Sequence, residues 1–246
     1  MTELLQTAQK NLTFLAVCLA VTAAIVLLAR LFERILPAER RALSPARRVS
    51  FVALFSALAG VLMLLEIPLF FAPSFYKLDL SELPVLICAF YLGPTAGVVC
   101  EFLKVALKLL LKGTTTAFVG DFANFAVGCS FVLPAAVCYR KFKTKRGALF
   151  SMAVGTVCLT AFGSLFNALY LLPKFCELYG MPMSAILEMS AAVNPAITSV
   201  STLVLFAVVP FNLLKGVLVS ALTFVLYKRV ERLFFRTPRG GADANL

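Results

Sequence analysis

The chain alternates long apolar runs with short polar ones. Residues 12–36 form the first run, charged only in their last turns. As a helix rising about 1.5 Å per residue, this run crosses a hydrocarbon core of roughly 30 Å. A basic loop with Arg40, Arg41, Arg47 and Arg48 follows. The second run, residues 49–71, carries one charge, Glu66, near its end. Residues 73–82 mix polar and aromatic side chains and read as a loop at a membrane face. Residues 83–111 are apolar again, with Gly93-Pro94 inside them. Further runs occupy residues 118–139, 148–172 and 196–227. The last would be roughly 48 Å long as one helix, too long for an untilted span. Pro210 disfavours helical geometry at Val209. A break is therefore predicted there, with residues 211–227 as the last crossing and the preceding part folded at the outer face. Residues 173–195 hold a short amphipathic stretch outside the membrane.

Charge placement decides how residues 83–111 cross. Of the 23 Lys and Arg residues, sixteen fall in three clusters, spanning Arg30 to Arg48, Arg140 to Arg146 and Lys228 to Arg239. Short loops rich in Lys and Arg stay cytoplasmic. The clusters share one side only if an even number of crossings separates them. Residues 83–111 must then count as two crossings, a short helix at 83–92 and a second at 94–111. The first is too short to span alone and must be buried among its neighbours. The expected fold is an all-α integral membrane protein of seven helices: one N-terminal helix and a core of six. The N-terminus is expected outside and the C-terminus inside. The units are residues 1–48 (first helix and basic loop), 49–230 (core) and 231–246 (tail).

Composition agrees and narrows the chemistry. The chain is 61% hydrophobic and 14% charged, with net charge +11. Those values exclude a disordered chain and an ordinary soluble enzyme. Histidine is absent, which removes His-metal sites, Ser-His-Asp triads and His proton relays. The seven cysteines stand singly in mostly apolar surroundings and read as small buried hydrophobes. No P-loop, HExxH or GxSxG pattern occurs, and no enzyme activity, nucleic-acid partner or cofactor is expected. Energised transport would need another subunit or an ion gradient. The first apolar run lacks a small-residue cleavage site and is not a signal peptide.

In so apolar a chain the polar residues carry the information. Lys215 and Asn212 lie three apart, on one helix face, just after Pro210. A lysine at mid-helix costs about 2.5–3.5 kcal/mol on insertion scales. It faces a cavity or partner, or snorkels to the headgroups. Asn167 lies near the outer end of its helix, where its amide can both donate and accept. Asp121 and Asn124 are again three apart, after the polar turn Thr114-Thr115-Thr116. Glu101, Lys104 and Lys108 share one stripe. Ion pairing within that set, with Asp121 as a further partner, is the reading the spacing favours. The loop from Tyr76 through Lys77, Leu78 and Asp79 to Glu82 lies at the same outer face. A partly aromatic cavity with amides and one cation suits a flat, neutral, hydrogen-bonding small molecule. Ala53/Ala57 and Ser56/Gly60 are small-xxx-small pairs that allow close helix approach.

Several motifs together resemble a family. Lys77-Leu78-Asp79-Leu80-Ser81-Glu82-Leu83-Pro84, Gly113-Thr114-Thr115-Thr116-Ala117, Asn124 with Gly128-Cys129-Ser130-Phe131-Val132-Leu133-Pro134-Ala135, and Pro210-Phe211-Asn212-Leu213-Leu214-Lys215-Gly216 are similar, in the same order, to the riboflavin-specific substrate-binding (S) components of energy-coupling factor (ECF) transporters, the RibU family. The resemblance covers residues 49–227. It implies a six-helix protein of the bacterial plasma membrane that captures riboflavin at its outer face. It also implies a membrane-embedded T subunit and two ATPase subunits as partners. Carried over by position, Asn167, Asn212 and Lys215 are expected to contact the flavin. The Lys77–Asp79 loop is expected to form part of a lid, with Tyr76, Thr115 and Asn124 at the same cavity. Ala53 and Ala57 match the AxxxA pattern presented to the T subunit. The helix at residues 12–36 departs from the six-helix pattern. Alternatives are an S component for another vitamin or flavin analogue, and a solo carrier driven by an ion gradient with Asp121 or Glu101 as coupling group.

Overall fold

A computed structural model describes residues 2–36, 43–70, 73, 76–114, 116, 118–230 and 232–233, with residues 2–11 in backbone only. Eight helices are present among them. They are α1 (Thr2–Ile35), α2 (Pro45–Leu64), α3 (Glu82–Leu92), α4 (Pro94–Lys112), α5 (Val119–Lys141), α6 (Lys145–Tyr179), α7 (Met183–Ala191) and α8 (Val200–Val230). Five of these, α1, α2, α5, α6 and α8, are long and apolar enough to cross a membrane.

The split at Gly93-Pro94 is present. Gly93 adopts a φ of 102°, a conformation that disfavours any side chain, and Pro94 opens α4. Short α3 is buried along almost its whole length, against α2, α4, α5 and α8. Its Phe90 stacks on Tyr139 of α5 at 4.2 Å. Between helices in lipid, burial from water gives little net drive, so close packing must supply the attraction. Glycines at the crossings permit it. A Cβ at Gly155 of α6 would fall 2.8 Å from the Phe131 carbonyl of α5, and one at Gly216 of α8 would fall 2.6 Å from Thr156 Cγ2 of α6.

The three basic clusters meet at one end of the bundle, as the parity argument requires. Glu33 of α1 accepts from Thr95 at 2.9 Å and pairs with Arg140 at 3.5 Å and Arg48 at 3.9 Å. Arg48 also donates to the Leu92 carbonyl at 2.8 Å. Tyr91 donates to the Tyr227 carbonyl at 2.9 Å, bringing in the end of α8. Arg40, Arg41 and most of the tail lie outside the described residues.

Three expectations need correction. The second apolar run is not helical to residue 71. The helix ends at Leu64, and Ile67–Pro68 (β1) pairs antiparallel with Lys77–Leu78 (β2), a short ladder in an otherwise α-helical protein. Pro68 disfavours helix at Ile67 and cannot donate within one. The break predicted at Pro210 does not occur either. Val209 is helical, at φ −60° and ψ −54°, and a π turn over Val204–Val208 carries α8 through. A π turn widens the ring by one residue, which accommodates the proline's missing N–H and its clash with the preceding turn. The residues before Pro210 therefore extend the last helix instead of folding separately. Finally, α6 runs on past residue 172 to Tyr179, through a second π turn at Asn167–Leu171.

Candidate functional site

At the end opposite the basic clusters, the described part of the loop between α2 and α3 packs against α6 and α8 through Tyr76 and Asp79. A cavity of about 520 Å³ lies beneath it, within the range typical of small-molecule sites. Both π turns border this region, and they touch each other. Lengthening a helix by one residue per π turn re-aims the side chains on either side, and such turns recur at functional sites.

One wall is aromatic and amide. Tyr76 packs its ring 5.5 Å from that of Phe211 and donates its hydroxyl to Asn167 Oδ1. That bond fixes which way the amide points. Asn212 lines the cavity beside Gly163, whose absent Cβ leaves room for it; a Cβ there would fall 2.9 Å from Asn212 Nδ2. Asn124 faces the same space from α5, its buried Oδ1 without a hydrogen-bond partner among the described residues.

The floor is charged. Lys215 Nζ pairs with Asp79 Oδ2 at 3.1 Å and Glu82 Oε1 at 2.9 Å. Glu82 Oε1 also receives Lys104 at 3.2 Å, and Lys104 lies 2.6 Å from Glu101 Oε2. Asp79 Oδ1 accepts from the Ser81 backbone at 2.9 Å, a turn that launches α3. Burial works against the charged Asp79, but Lys215, then Lys104 and the Ser81 bonds, hold its carboxyl below the ordinary range. Lys215 therefore does not snorkel. It is held inside by two carboxylates that line the same cavity.

At the mouth, Glu66 Oε2 accepts from Lys77 at 3.0 Å and from Lys112 at 2.9 Å. This ties the β2 loop and the end of α4 to the end of α2. Asp121 is engaged with Lys108 at 2.6 Å and with Thr114 Oγ1 at 2.7 Å. The ion pairing expected along the Glu101, Lys104 and Lys108 stripe is present, with Lys104 between Glu82 and Glu101 and Lys108 on Asp121.

The structure brings together Tyr76, Lys77, Asp79, Asn124, Asn167, Asn212 and Lys215 around one cavity. Leu78 does not join them; it is buried by β-strand alternation on the opposite side of the loop. Thr115 lies outside the described residues, and Thr116 beside it lines the cavity. Ala53 and Ala57 are exposed on α2, away from the cavity, whereas Ser56 and Gly60 face inward. A Cβ at Gly60 would fall 3.1 Å from Leu107 Cβ of α4. The sequence pattern places Phe211 among the aromatics at this end, but it does not single out Glu82 as a cavity residue. Glu82 opens a helix that dips into the core, and only the shortness of α3 signalled that. Among the described residues, no cluster of acids or cysteines fits a metal ion.

An open-mouthed cavity, mostly apolar with a few convergent polar groups, at one end of a multi-pass helical membrane protein is of the kind that holds a small molecule. Residues 47–227 match the family model described as "ECF transporter, substrate-specific component", and the chain belongs to that family. It is thus a transporter component and not an enzyme. The chain is 30% identical over 190 residues to "Riboflavin transporter RibU" of Staphylococcus aureus (strain TCH60), covering 77% of this chain and 93% of the relative. It is 29% identical over 186 residues to "Riboflavin transporter FmnP" of Bacillus subtilis (strain 168), covering 75% and 92%. A solved structure described as "Structure and mechanism of the S component of a bacterial ECF transporter" aligns with a TM-score of 0.61 and 30% identity. That alignment covers 78% of this chain and all of the other.

Proposed function

We propose that this protein is the riboflavin-binding subunit of an ECF-type vitamin importer. The carrying observation is a cavity, open at its mouth, with an aromatic and amide wall above a paired lysine. A flavin has a flat ring for Tyr76 and Phe211, a uracil-like edge for the amides of Asn167, Asn212 and Asn124, and a ribityl chain. Its hydroxyls can donate to Asp79 and Glu82 and accept from Lys215. The names of the relatives at about 30% identity support the same ligand. In this reading the six-helix core is α2–α6 with α8, so that it starts at Pro45 rather than at residue 49 and runs to Val230, and α1 is an accessory helix. The basic end and the C-terminus face the cytoplasm of a bacterial cell, and the cavity opens outward. A T subunit carrying two ATPases docks on the exposed Ala53/Ala57 face of α2, where small side chains allow close approach.

The test is the absorption spectrum of the detergent-purified protein, followed by titration of flavin fluorescence. Bound flavin, or quenching that saturates below micromolar riboflavin, is expected. No binding at micromolar riboflavin by folded protein overturns the reading. Competition with flavin analogues and other vitamins would reassign the ligand if one of them bound more tightly.

A further inference from the structure

Five ionisable side chains lie together under the cavity, and their charges do not balance. Asp79, Glu82 and Glu101 are set against only Lys104 and Lys215. All five are buried, Glu101 and Lys104 at 0% exposure. Lys215 is shared by Asp79 and Glu82, and Lys104 by Glu82 and Glu101. Glu101 stands at the end of this chain of contacts. Lys104 is its one ion-pair partner among the described residues, and neither carboxyl oxygen has a hydrogen bond of good geometry.

Besides Lys104 and the more distant Lys215, no cation among the described residues acts on it from the packed elements. On α5, Gly128 abuts the carboxyl, with a Cβ there falling 2.7 Å from Oε2, and Cys129 is the neighbouring titratable group. On α3 the facing charge is Glu82, and on α8 it is Lys215. Asp79, from the loop, acts on Lys104. One turn along α4, Lys108 is committed to Asp121 and the Gly113 carbonyl. An uncompensated negative charge in such surroundings is costly. A metal ion would need several free oxygens, but two of the carboxylates are already joined through Lys104. A proton needs no such shell.

We propose that the Glu101 carboxyl is a proton site coupled to ligand capture, taking up a proton as the cavity fills. This rests on the riboflavin reading of the cavity. When the cavity holds water, that water solvates Asp79, Glu82 and Lys215, which line it, and screens the excess charge. A neutral ligand expels the water and brings no charge, so the field of the excess carboxylate strengthens. Protonation of Glu101 removes it. Linkage then makes affinity fall as pH rises, by at most about tenfold per pH unit for one proton.

The experiment is calorimetric titration of the full-length protein with riboflavin, from mildly acid to mildly alkaline pH, in two buffers of different ionisation heat. Uptake approaching one proton per riboflavin within part of that range is expected, with affinity declining as pH rises. Glu101→Gln should bind riboflavin with no proton uptake and a flat pH profile. Glu101→Leu serves the same purpose if the glutamine variant fails to fold, and the wild-type measurement needs neither. Riboflavin binding without buffer-dependent heat at any pH overturns the coupling alone. So does the same uptake in the Glu101 variants as in wild type. Absence of riboflavin binding at every pH overturns the riboflavin reading, and the coupling with it.

Discussion

Lys215 shows why a residue's role depends on what shares its cavity. By spacing it is a lysine one face away from nothing but Asn212, open to function or to snorkelling. In the structure it is the joint between Asp79 and Glu82. Removing it does more than delete a donor, since two buried carboxylates are then left facing each other. Breaking one partner of a buried, hydrogen-bonded charge set typically costs about 3–5 kcal/mol. Lys215→Ala is therefore expected to weaken riboflavin binding by about 100-fold or more, read by flavin quenching. Retention of wild-type affinity would remove Lys215 from the site. Its importance was legible because a charge in an apolar run must be explained. Glu82 was not, because a carboxylate beside Lys77 and Asp79 reads as one more hydrated loop group. Its burial follows from α3 plunging directly into the bundle, a tertiary fact. The Glu101/Lys104 pair was legible, since i,i+3 spacing places both on one stripe whatever surrounds them.

The elements repeat this lesson for proline and glycine. Gly93-Pro94 breaks the chain because charge parity and local geometry agree there. Pro210 does not, because the helix absorbs it in a π turn that no local rule announces. That turn rotates the first residues of α8, and with them Leu203, Ala207 and Val208, into the apolar cluster around Tyr76, Leu172 and Ile197. Deleting Phe206, an exposed residue of the turn, should restore a regular helix and rotate the residues before it by about 100°. We expect the variant to remain helical by circular dichroism but to bind riboflavin at least about tenfold more weakly, as the cluster behind Tyr76 loses its packing. Unchanged affinity would show that the π turn does not position the site. At the mouth, Glu66 links α2, β2 and α4 through Lys77 and Lys112. Its partial burial opposes ionisation, but the hydrogen bonds and charges of Lys112 and Lys77 outweigh this and hold its carboxyl below the ordinary range. With the folded value depressed, the tie is fully present above the usual carboxylate range and is lost as pH falls through the lowered value. Its sign is opposite to that of the Glu101 step. All three groups are partly exposed, so the tie is worth no more than about 1 kcal/mol. Glu66→Gln should raise the riboflavin off-rate at neutral pH by about fivefold or less, and added salt should do the same to wild type. An off-rate indifferent to both would show that the tie does not hold the mouth closed.

At the scale of the whole molecule, the two ends divide the work, and α1 joins only part of the bundle. Glu33 fastens α1 to α2, α4 and α5 at the basic end. Toward the cavity end Phe14 packs edge-on against Phe122 of α5, at 6.4 Å. The additional helix thus lies along α4 and α5. The Ala53/Ala57 face of α2 remains exposed, while Ser56 is buried and Gly60 lies against Leu107 of α4. Two small-residue pairs indistinguishable in sequence are separated by the fold into one internal crossing and one open face. The open face is remote from Lys215 and shares no side chain with the cavity. A bulky substitution there should therefore act on assembly alone. Ala57→Leu is expected to bind riboflavin within about twofold of wild type, because nothing in the cavity moves. Coexpressed with a T subunit and its ATPases, it should fail to copurify with them and should abolish riboflavin uptake in cells. Normal copurification would assign docking to another face. Loss of riboflavin binding would show instead that α2 transmits strain to the site, because Phe55 and Ala59 on its buried side belong to the same apolar core as α3.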